Sequence, residues 1–207
     1  MSPSPRQAHW EQVYSTRADE EVSWYQPRPA TSLGLLGRTE AGRDAAVVDV
    51  GGGSSRLVDA LLDEGWRRVA VLDVAENALA RARTRLGRRG AAVEWLVGDV
   101  TAWSPPHAFD VWHDRAMFHF LPDAGERRAY VAAVEAAVPP RGHVVIATFA
   151  PDGPEQCSGL PVVRYDAASL AAELGPSFEI VESLREEHGT PGGKLQRFQF
   201  SRFVRVR

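Results

Sequence analysis

Short apolar runs alternate along the chain with stretches in which apolar residues recur at helical spacing. The first such run, 45–50, is aliphatic apart from Asp49, which is typical of a parallel strand buried on both faces. Further runs follow, each separated from the next by an amphipathic stretch, and this alternation indicates β-α-β units. We predict strands over 45–50, 68–73, 93–98, 109–113, 143–149, 179–187 and 196–205, and helices over 7–16, 30–37, 56–64, 76–86, 124–138 and 167–174.

These elements predict an α/β fold with a doubly wound, seven-stranded, mostly parallel sheet that ends in an antiparallel hairpin. The hairpin turn is 189–193, which contains three glycines and a proline. A length of 207 residues favours a single domain, 1–207. Within it we expect residues 1–44 to form a cover segment over the carboxyl edge of the sheet, and residues 45–207 to form the α/β core. Residues 151–164, rich in glycine and proline, predict a long loop.

Composition and charge exclude several classes of protein. With 44% hydrophobic residues and a formal net charge of −3, the chain is neither disordered nor basic enough for a nucleic-acid partner to be expected. No apolar run approaches the ~18 residues of a membrane-spanning helix. Cys157 is the only cysteine, which excludes an intramolecular disulfide and a multi-cysteine zinc site. We therefore expect a cytoplasmic protein without a metal ion or a membrane partner, and the pattern gives no indication of the oligomeric state.

Polar residues that suit an adenosyl ligand follow the first three predicted strands. Ligands of open α/β sheets lie at the carboxyl ends of the strands, beside the first strand. There the glycine turn, residues 51–53, lets the backbone bend sharply and lets a ligand approach closely. Asp73 ends the second strand, where a carboxylate accepts both ribose hydroxyls, and Asp99 follows the third, where it accepts from an adenine amino group.

Other nucleotide ligands fit this pattern less well. The dinucleotide fingerprint needs a third glycine where this chain has Arg56. A triphosphate-binding loop needs a lysine after its glycines, and the only lysine is Lys194. An NAD-dependent oxidoreductase is therefore the least favoured alternative.

The residues of the glycine turn also carry a family resemblance. Residues 47–54, Asp73 and the sequence Gly98-Asp99-Val100 resemble the class I S-adenosylmethionine-dependent methyltransferases over about 45–207 of this chain. The resemblance implies a Rossmann-like methyltransferase with S-adenosyl-L-methionine as cofactor. It also implies which residues line that cofactor: Gly51, Gly53, Asp73, Val74, Asp99 and Val100, with Arg115 beside its carboxylate.

The residues of the cover segment resemble those of a smaller group within this family. His9-Trp10-Glu11, Tyr14 and Ser23-Trp24-Tyr25 resemble the opening of methyltransferase-like proteins, among them small lysine methyltransferases. The resemblance implies that Trp10, Tyr14 and Trp24 close over the cofactor. Indole and phenol rings attract a sulfonium cation by ~0.5–2 kcal/mol each once water is excluded.

The methyl acceptor is the least determined part of the prediction. Methyl transfer depends mainly on holding the reacting atoms in line, so no catalytic triad is required. If a base is used, His119 and His188 are the candidates, and segments 113–120 and 151–161 lie where an acceptor binds. We expect a small-molecule acceptor because the chain is short. The alternatives are a protein lysine and, from another class, a non-catalytic sensor or scaffold that binds S-adenosylmethionine.

Overall fold

The computed structural model describes residues 3–207; Met1 and Ser2, at the start of the predicted domain, lie outside the described residues. Its strands are β1 (Ala46–Val50), β2 (Arg68–Asp73), β3 (Val93–Val97), β4 (Val111–Arg115), β5 (His143–Phe149), β6 (Gln156–Cys157), β7 (Leu160–Pro161), β8 (Phe178–Gly189) and β9 (Leu195–Arg205). Its α-helices are α1 (Pro5–Thr16), α2 (Ala30–Gly37), α3 (Leu57–Asp63), α4 (Glu76–Leu86), α5 (Ala124–Ala137) and α6 (Ala167–Leu174). Short 3-10 turns cover Asp19–Glu21, Gly87–Ala92, Val100–Ala102 and Phe118–Phe120.

Seven strands form one sheet in the order β3-β2-β1-β4-β5-β9-β8. Strands β1 to β5 pair in parallel, and β9 runs antiparallel to both β5 and β8. The predicted α/β fold with its C-terminal hairpin is confirmed. The strand order reverses between β1 and β4, which places the switch point of the sheet at the carboxyl ends of these two strands.

Alternate residues of the central strands pack into two different helix layers. Val47 and Val111 pack with α2, α3 and α4 on one face, whereas Val48 and Trp112 pack with α5 and α6 on the other. All four side chains are buried, as expected for a parallel sheet covered on both faces. No helix within residues 3–207 combines the length and the apolar character that a bilayer span requires.

The residues expected to form the cover segment lie in two different places. Helix α1 and the residues up to Trp24 lie at the carboxyl edge of the sheet. Helix α2 instead belongs to a helix layer, because Leu35 and Leu36 are buried in the same cluster as α3. A helix with these apolar residues gains more from packing on the sheet than from covering its edge.

Helix α1 is fixed by hydrogen bonds at its own start and at the start of α4. The Ser4 hydroxyl accepts from the Gln7 N–H at 3.1 Å. Ala75 precedes α4 and has no side chain that can cap it. Glu11 of α1 does so instead, and its Oε1 accepts from the Glu76 N–H at 2.6 Å. A carboxylate at this position satisfies an orphan donor and complements the positive end of the helix dipole.

Two other elements differ from the prediction. Strand β4 begins later than the predicted 109–113, because the Phe109 N–H donates to the Ala137 carbonyl at the end of α5 rather than to a strand. The predicted loop 151–164 contains the small hairpin of β6 and β7. Apolar character therefore identified burial correctly, but not the partner of each backbone group.

A buried hydrogen-bond network shapes the end of β4. The Asp114 carboxylate accepts from the Met117 N–H at 2.8 Å, the Phe118 N–H at 3.0 Å and the Tyr130 hydroxyl at 2.8 Å. The Tyr130 hydroxyl in turn accepts from the Trp112 indole N–H at 2.9 Å. Burial raises the pKa of Asp114 to about 6. The network thus fixes the turn after β4, which faces the switch point.

Replacing Tyr130 by Phe removes a donor from Asp114 and the acceptor of Trp112. Because both remaining groups stay buried, we expect Tyr130→Phe to lower the free energy of unfolding by ~1–3 kcal/mol, measured by urea denaturation. Tyr165→Phe is the matched control, because the buried Tyr165 hydroxyl has no hydrogen-bond partner within residues 3–207. Equal losses in both variants would contradict the assignment of stability to the network.

Candidate active site

A cavity lies at the carboxyl ends of β1 to β4, where the sequence predicts a ligand. Its lining comes from the turns after these strands, from α1 and the residues that follow it, and from the hairpin of β6 and β7: Arg6, Trp10, Tyr14, Trp24, Val50, Gly51, Leu72, Asp73, Val74, Gly98, Asp99, Val100, Arg115, Ala116, Met117, Phe120 and Cys157. Of the residues predicted to contact a cofactor, all but Gly53 are in this lining. The structure therefore brings together residues that lie far apart in the sequence.

The glycine turn after β1 forms one wall of the cavity. Gly51 and Gly53 have φ values of +66° and +50°, which side chains disfavour. A Cβ on Gly51 would lie 2.6 Å from the Met117 Cβ, so the turn also needs the space. Gly53 does not face the cavity, because the Tyr14 hydroxyl occupies the position where its Cβ would be. The predicted role of Gly53 is corrected: it makes room for Tyr14.

Asp73 lies at the end of β2 and is buried. Its Oδ1 accepts from the Ala75 N–H at 2.8 Å, and its Oδ2 lies near Gly53. Burial, with the nearby Asp49 carboxylate, raises the pKa of Asp73 to about 7. The carboxylate lines the cavity with acceptor capacity left over.

Asp99 follows β3 and binds a partner that the sequence did not reveal. Arg6 of α1 donates to both of its oxygens, at 3.0 and 2.8 Å, and also contacts Glu126. Thr101 donates to Oδ1 through its N–H and its hydroxyl. Although partial burial opposes it, the hydrogen bonds from Thr101 and the charge of Arg6 lower the pKa of Asp99. Oδ2 accepts from Arg6 alone within residues 3–207, so it can accept a further hydrogen bond.

Four aromatic rings close the cavity. The Trp10 ring centroid lies 5.9 Å from that of Trp24, 6.4 Å from that of Tyr14 and 5.0 Å from that of Phe120. Tyr14 and Trp24 are 6.1 Å apart. Burial, together with Asp73, raises the pKa of Tyr14, so its phenol is neutral. The three aromatic residues that the sequence predicts thus do meet, and Phe120 joins them.

Arg115 ends β4 and carries a buried positive charge. One Nη donates to the Trp24 carbonyl at 2.9 Å, and the guanidinium lies over the Phe198 ring at 4.8 Å. The other Nη is 3.8 Å from Glu186, beyond hydrogen-bond distance, and neither this Nη nor Nε has a hydrogen-bond partner in the described chain. Burial lowers the pKa of Arg115 to about 10, so it remains charged at neutral pH. Buried donors of this kind require an acceptor.

The two histidines predicted as candidate bases do not line the cavity. His119 is fully buried, and its Nδ1 accepts from the Phe149 N–H at 3.2 Å. Burial, with the charge of Arg115, lowers the pKa of His119 to about 3. His188 donates from Nε2 to the Ser23 carbonyl at 2.8 Å and so joins β8 to the segment after α1. Both predictions are corrected: burial and backbone hydrogen bonding give these side chains structural roles.

Sequence reasoning did not single out Arg6 as a residue of the lining. Arg6 precedes the apolar positions of α1, and nothing in its sequence context indicates a long-range ion pair. Cys157 belongs to segment 151–161, which the sequence places near an acceptor, and β6 brings its buried side chain into the lining. Burial raises the pKa of the Cys157 thiol, which keeps it protonated. Met117 and Phe120 belong to segment 113–120, which the sequence also places near an acceptor.

Comparison with known proteins gives a consistent picture. Residues 47–142 match the family described as a methyltransferase domain. Nodulation protein S of Rhizobium fredii is 30% identical over 79 residues, which is 38% of this chain and 45% of that protein. Trans-aconitate 2-methyltransferase of Azoarcus sp. strain BH72 is 34% identical over 115 residues, which is 55% of this chain and 41% of that enzyme. The matches thus span less than half the length of these relatives.

A solved structure resembles the fold over its whole length. It is the 1,6-didemethyltoxoflavin-N1-methyltransferase of Burkholderia thailandensis, with bound 1,6-didemethyltoxoflavin and S-adenosylhomocysteine. The TM-score is 0.71 at 22% identity, and the likeness covers 100% of this chain and 92% of that one. Residues 47–142 thus resemble the methyltransferase domain family, and the chain shares the fold of this solved methyltransferase.

Proposed function

We propose that this protein transfers a methyl group from S-adenosylmethionine to a small-molecule acceptor. The observation that carries the proposal is the convergence of Gly51, Asp73 and Asp99 on one cavity. Four aromatic rings, those of Trp10, Tyr14, Trp24 and Phe120, close this cavity. Because the three residues follow neighbouring strands, one extended ligand contacts all of them.

The residues present fit the proposed cofactor. Asp73 has an oxygen available for ribose hydroxyls, and Asp99 keeps a lone pair for the adenine amino group. Arg115 has buried donors that find no partner within residues 3–207, as a binding site for the methionine carboxylate requires. Gly51 lines the cavity and has no side chain, so a ligand can approach its backbone. The ribose hydroxyls, the adenine amino group and the methionine carboxylate of the cofactor thus each have a complementary group in the chain.

The aromatic rings that close the cavity suit the positive charge of the cofactor. The bound cofactor supplies a methyl group on a positively charged sulfur. Trp10, Trp24 and Tyr14 present ring faces and edges within ~6 Å of each other, and indole rings stabilise a cation once water is excluded. The neutral Tyr14 adds no negative charge there. We propose that these rings exclude water from the reacting atoms and orient the sulfonium.

The chain would act on the reaction mainly through position. Holding the reacting atoms in line contributes up to ~7–11 kcal/mol to lowering a barrier of this kind. The lining contains no histidine among the described residues, and the pKa values of Tyr14 and Cys157 are raised. We therefore propose that the acceptor binds with its lone pair already available, as a neutral amine or an ionised group does.

A small-molecule acceptor is favoured by the relatives. Trans-aconitate 2-methyltransferase and the didemethyltoxoflavin N1-methyltransferase are both named for small acceptors. In this chain residues from the turn after β4 and from the hairpin of β6 and β7 both line the cavity, where we propose that the acceptor binds. A protein lysine remains the alternative that the assay below separates.

The activity is tested with S-adenosylmethionine that carries a labelled methyl group, incubated with the protein and a cell extract. We expect label in the small-molecule fraction. Label in protein would support the lysine alternative. Tight binding of S-adenosylhomocysteine without any transfer would support a sensor, and binding of NAD in its place would overturn the proposal.

Asp73 is expected to supply a large part of cofactor affinity. Asp73→Asn keeps the size of the side chain but removes the charge that strengthens the hydrogen bonds to ribose. We expect binding of S-adenosylhomocysteine to weaken by ~1–3 kcal/mol in calorimetry. Asp63→Asn is the control, because the Asp63 carboxylate is 60% exposed on α3. An unchanged dissociation constant in Asp73→Asn would show that Asp73 only caps the turn before α4.

Affinity is also expected to depend on pH through Asp73. Its pKa is raised to about 7 in the free protein, and ribose hydroxyls favour the ionised carboxylate. Binding therefore releases a proton at low pH, so affinity is highest above pH ~7 and decreases by up to about tenfold per unit as the pH falls below it. Calorimetry at several pH values checks this. Asp73→Asn should give a flat profile, and an equal slope in both proteins would assign the effect to another group.

A further inference from the structure

A second, polar pocket lies on the other side of the glycine turn. It shares Trp24, Gly51 and Arg115 with the main cavity, so the two pockets are neighbours. Its remaining lining is rich in polar and charged side chains: Asp19, Gln26, Ser32, Asp49, Ser54, Ser55, Arg56 and His113, together with Val22, Tyr25, Pro29, Gly52 and Leu57. A zwitterionic group that passes Gly51 would find both signs of charge here.

Three buried side chains of this pocket form a continuous hydrogen-bond chain. His113 Nδ1 is 2.7 Å from Asp49 Oδ1, and His113 Nε2 is 2.9 Å from the Ser32 Oγ. All three residues are at most 3% exposed. These hydrogen bonds connect Ser32 of α2, His113 of β4 and Asp49 of β1, which are three separate elements of the fold.

At one end of these hydrogen bonds, the Asp49 carboxylate packs against the glycine turn. A Cβ on Gly52 would lie 2.5 Å from Asp49 Oδ2, so this carboxylate packs directly on the backbone of the turn. His113 fixes the rotation of the Asp49 carboxylate by binding its other oxygen, and Ser32 fixes the ring of His113. A buried carboxylate without such partners is costly, so the arrangement is strongly specified.

We infer that His113, oriented by Ser32, is a positioning residue that holds Asp49 and the glycine turn in place for the amino-acid end of the cofactor. The inference rests on the proposed function. Asp49 and Arg115 both line this pocket, and a carboxylate and a guanidinium are the partners that an ammonium group and a carboxylate require. The main cavity holds the adenosyl end independently, through Asp73 and Asp99.

The same three residue types form the nucleophilic triad of many hydrolases, but the setting differs here. Ser32 lies inside the first turns of α2 and is 1% exposed. A nucleophilic serine needs open space in front of its oxygen for the reacting carbonyl. These hydrogen bonds therefore serve to orient the Asp49 carboxylate and the glycine turn. We expect no reaction of Ser32 with a fluorophosphonate probe. Labelling of Ser32 would overturn the inference.

Two ligands separate positioning of the amino-acid end from a general effect on folding. S-adenosylhomocysteine carries the amino-acid end, whereas 5′-methylthioadenosine lacks it. For His113→Asn we expect the dissociation constant of S-adenosylhomocysteine to rise ~10-fold and that of 5′-methylthioadenosine to change by less than ~2-fold. Ser32→Ala removes one hydroxyl and keeps the Asp49–His113 pair, so we expect a smaller rise of ~3-fold for S-adenosylhomocysteine alone.

His119→Asn is the matched control. His119 is as deeply buried as His113 and also contacts the sheet, but it lies outside both pockets. We expect it to lower stability in urea without changing the ratio of the two dissociation constants. If His113→Asn does not fold, Ser32→Ala decides the question.

The outcomes separate this inference from the proposed function. Failure of the unaltered protein to bind either nucleoside contradicts the proposed function. If the unaltered protein binds both, a parallel loss for both ligands in His113→Asn, or no loss for either, overturns the positioning role. A loss confined to S-adenosylhomocysteine supports it.

Discussion

The whole site depends on the absence of side chains at three consecutive positions after β1. A Cβ at any position of 51–53 would meet a side chain of another element: Met117 at the first, Asp49 at the second and Tyr14 at the third. The turn after β4, the core of β1 and helix α1 therefore all pack against the same stretch of backbone. Because interiors are close-packed, a change in one neighbour is transmitted to the others through this turn.

The fold was predictable because its signals are local and repeated. The aliphatic strands, the helix periods and the glycine turn each indicate the same α/β architecture, and the structure agrees in the number and direction of the strands in the main sheet. The errors arose where apolar character does not decide the outcome. Helix α2 is apolar enough to join a helix layer, whereas its position before the first strand suggested a cover. Phe109 is buried, but its N–H bonds to Ala137 rather than to a neighbouring strand.

The sequence predicts those residues of the candidate site that lie directly at the end of a strand. Asp73 and Asp99 follow directly from the topology, because carboxyl ends of parallel strands meet at one edge. Arg6 could not be found in this way, since its partner Asp99 lies 93 positions away in the sequence. The histidines show the converse limit. Residue type suggested a base for His119, but only the surrounding packing reveals that its pKa is lowered.

The site is built at some expense of stability. Burial raises the folded-state pKa of Asp73 to about 7 and that of Asp114 to about 6, both above the ordinary value of an aspartate. Each carboxyl therefore binds its proton more tightly when folded, so its contribution to stability increases as the pH falls through these values and decreases as the pH rises. At neutral pH the fold carries ionised, buried acids that its backbone and Tyr130 only partly compensate. A ligand that donates to Asp73 relieves part of this cost.

The attachment of α1 links that cost to ligand binding. Arg6 holds Asp99, Glu11 caps α4 directly after Asp73, and Arg115 holds the Trp24 carbonyl. Each contact joins the segment around α1 to a group at the edge of the cavity. A ligand that uses the remaining lone pair of Asp99 or the open donors of Arg115 therefore acts on the same groups that hold this segment in place. Ligand binding and the attachment of this segment are therefore coupled, because both depend on the same hydrogen-bonding groups.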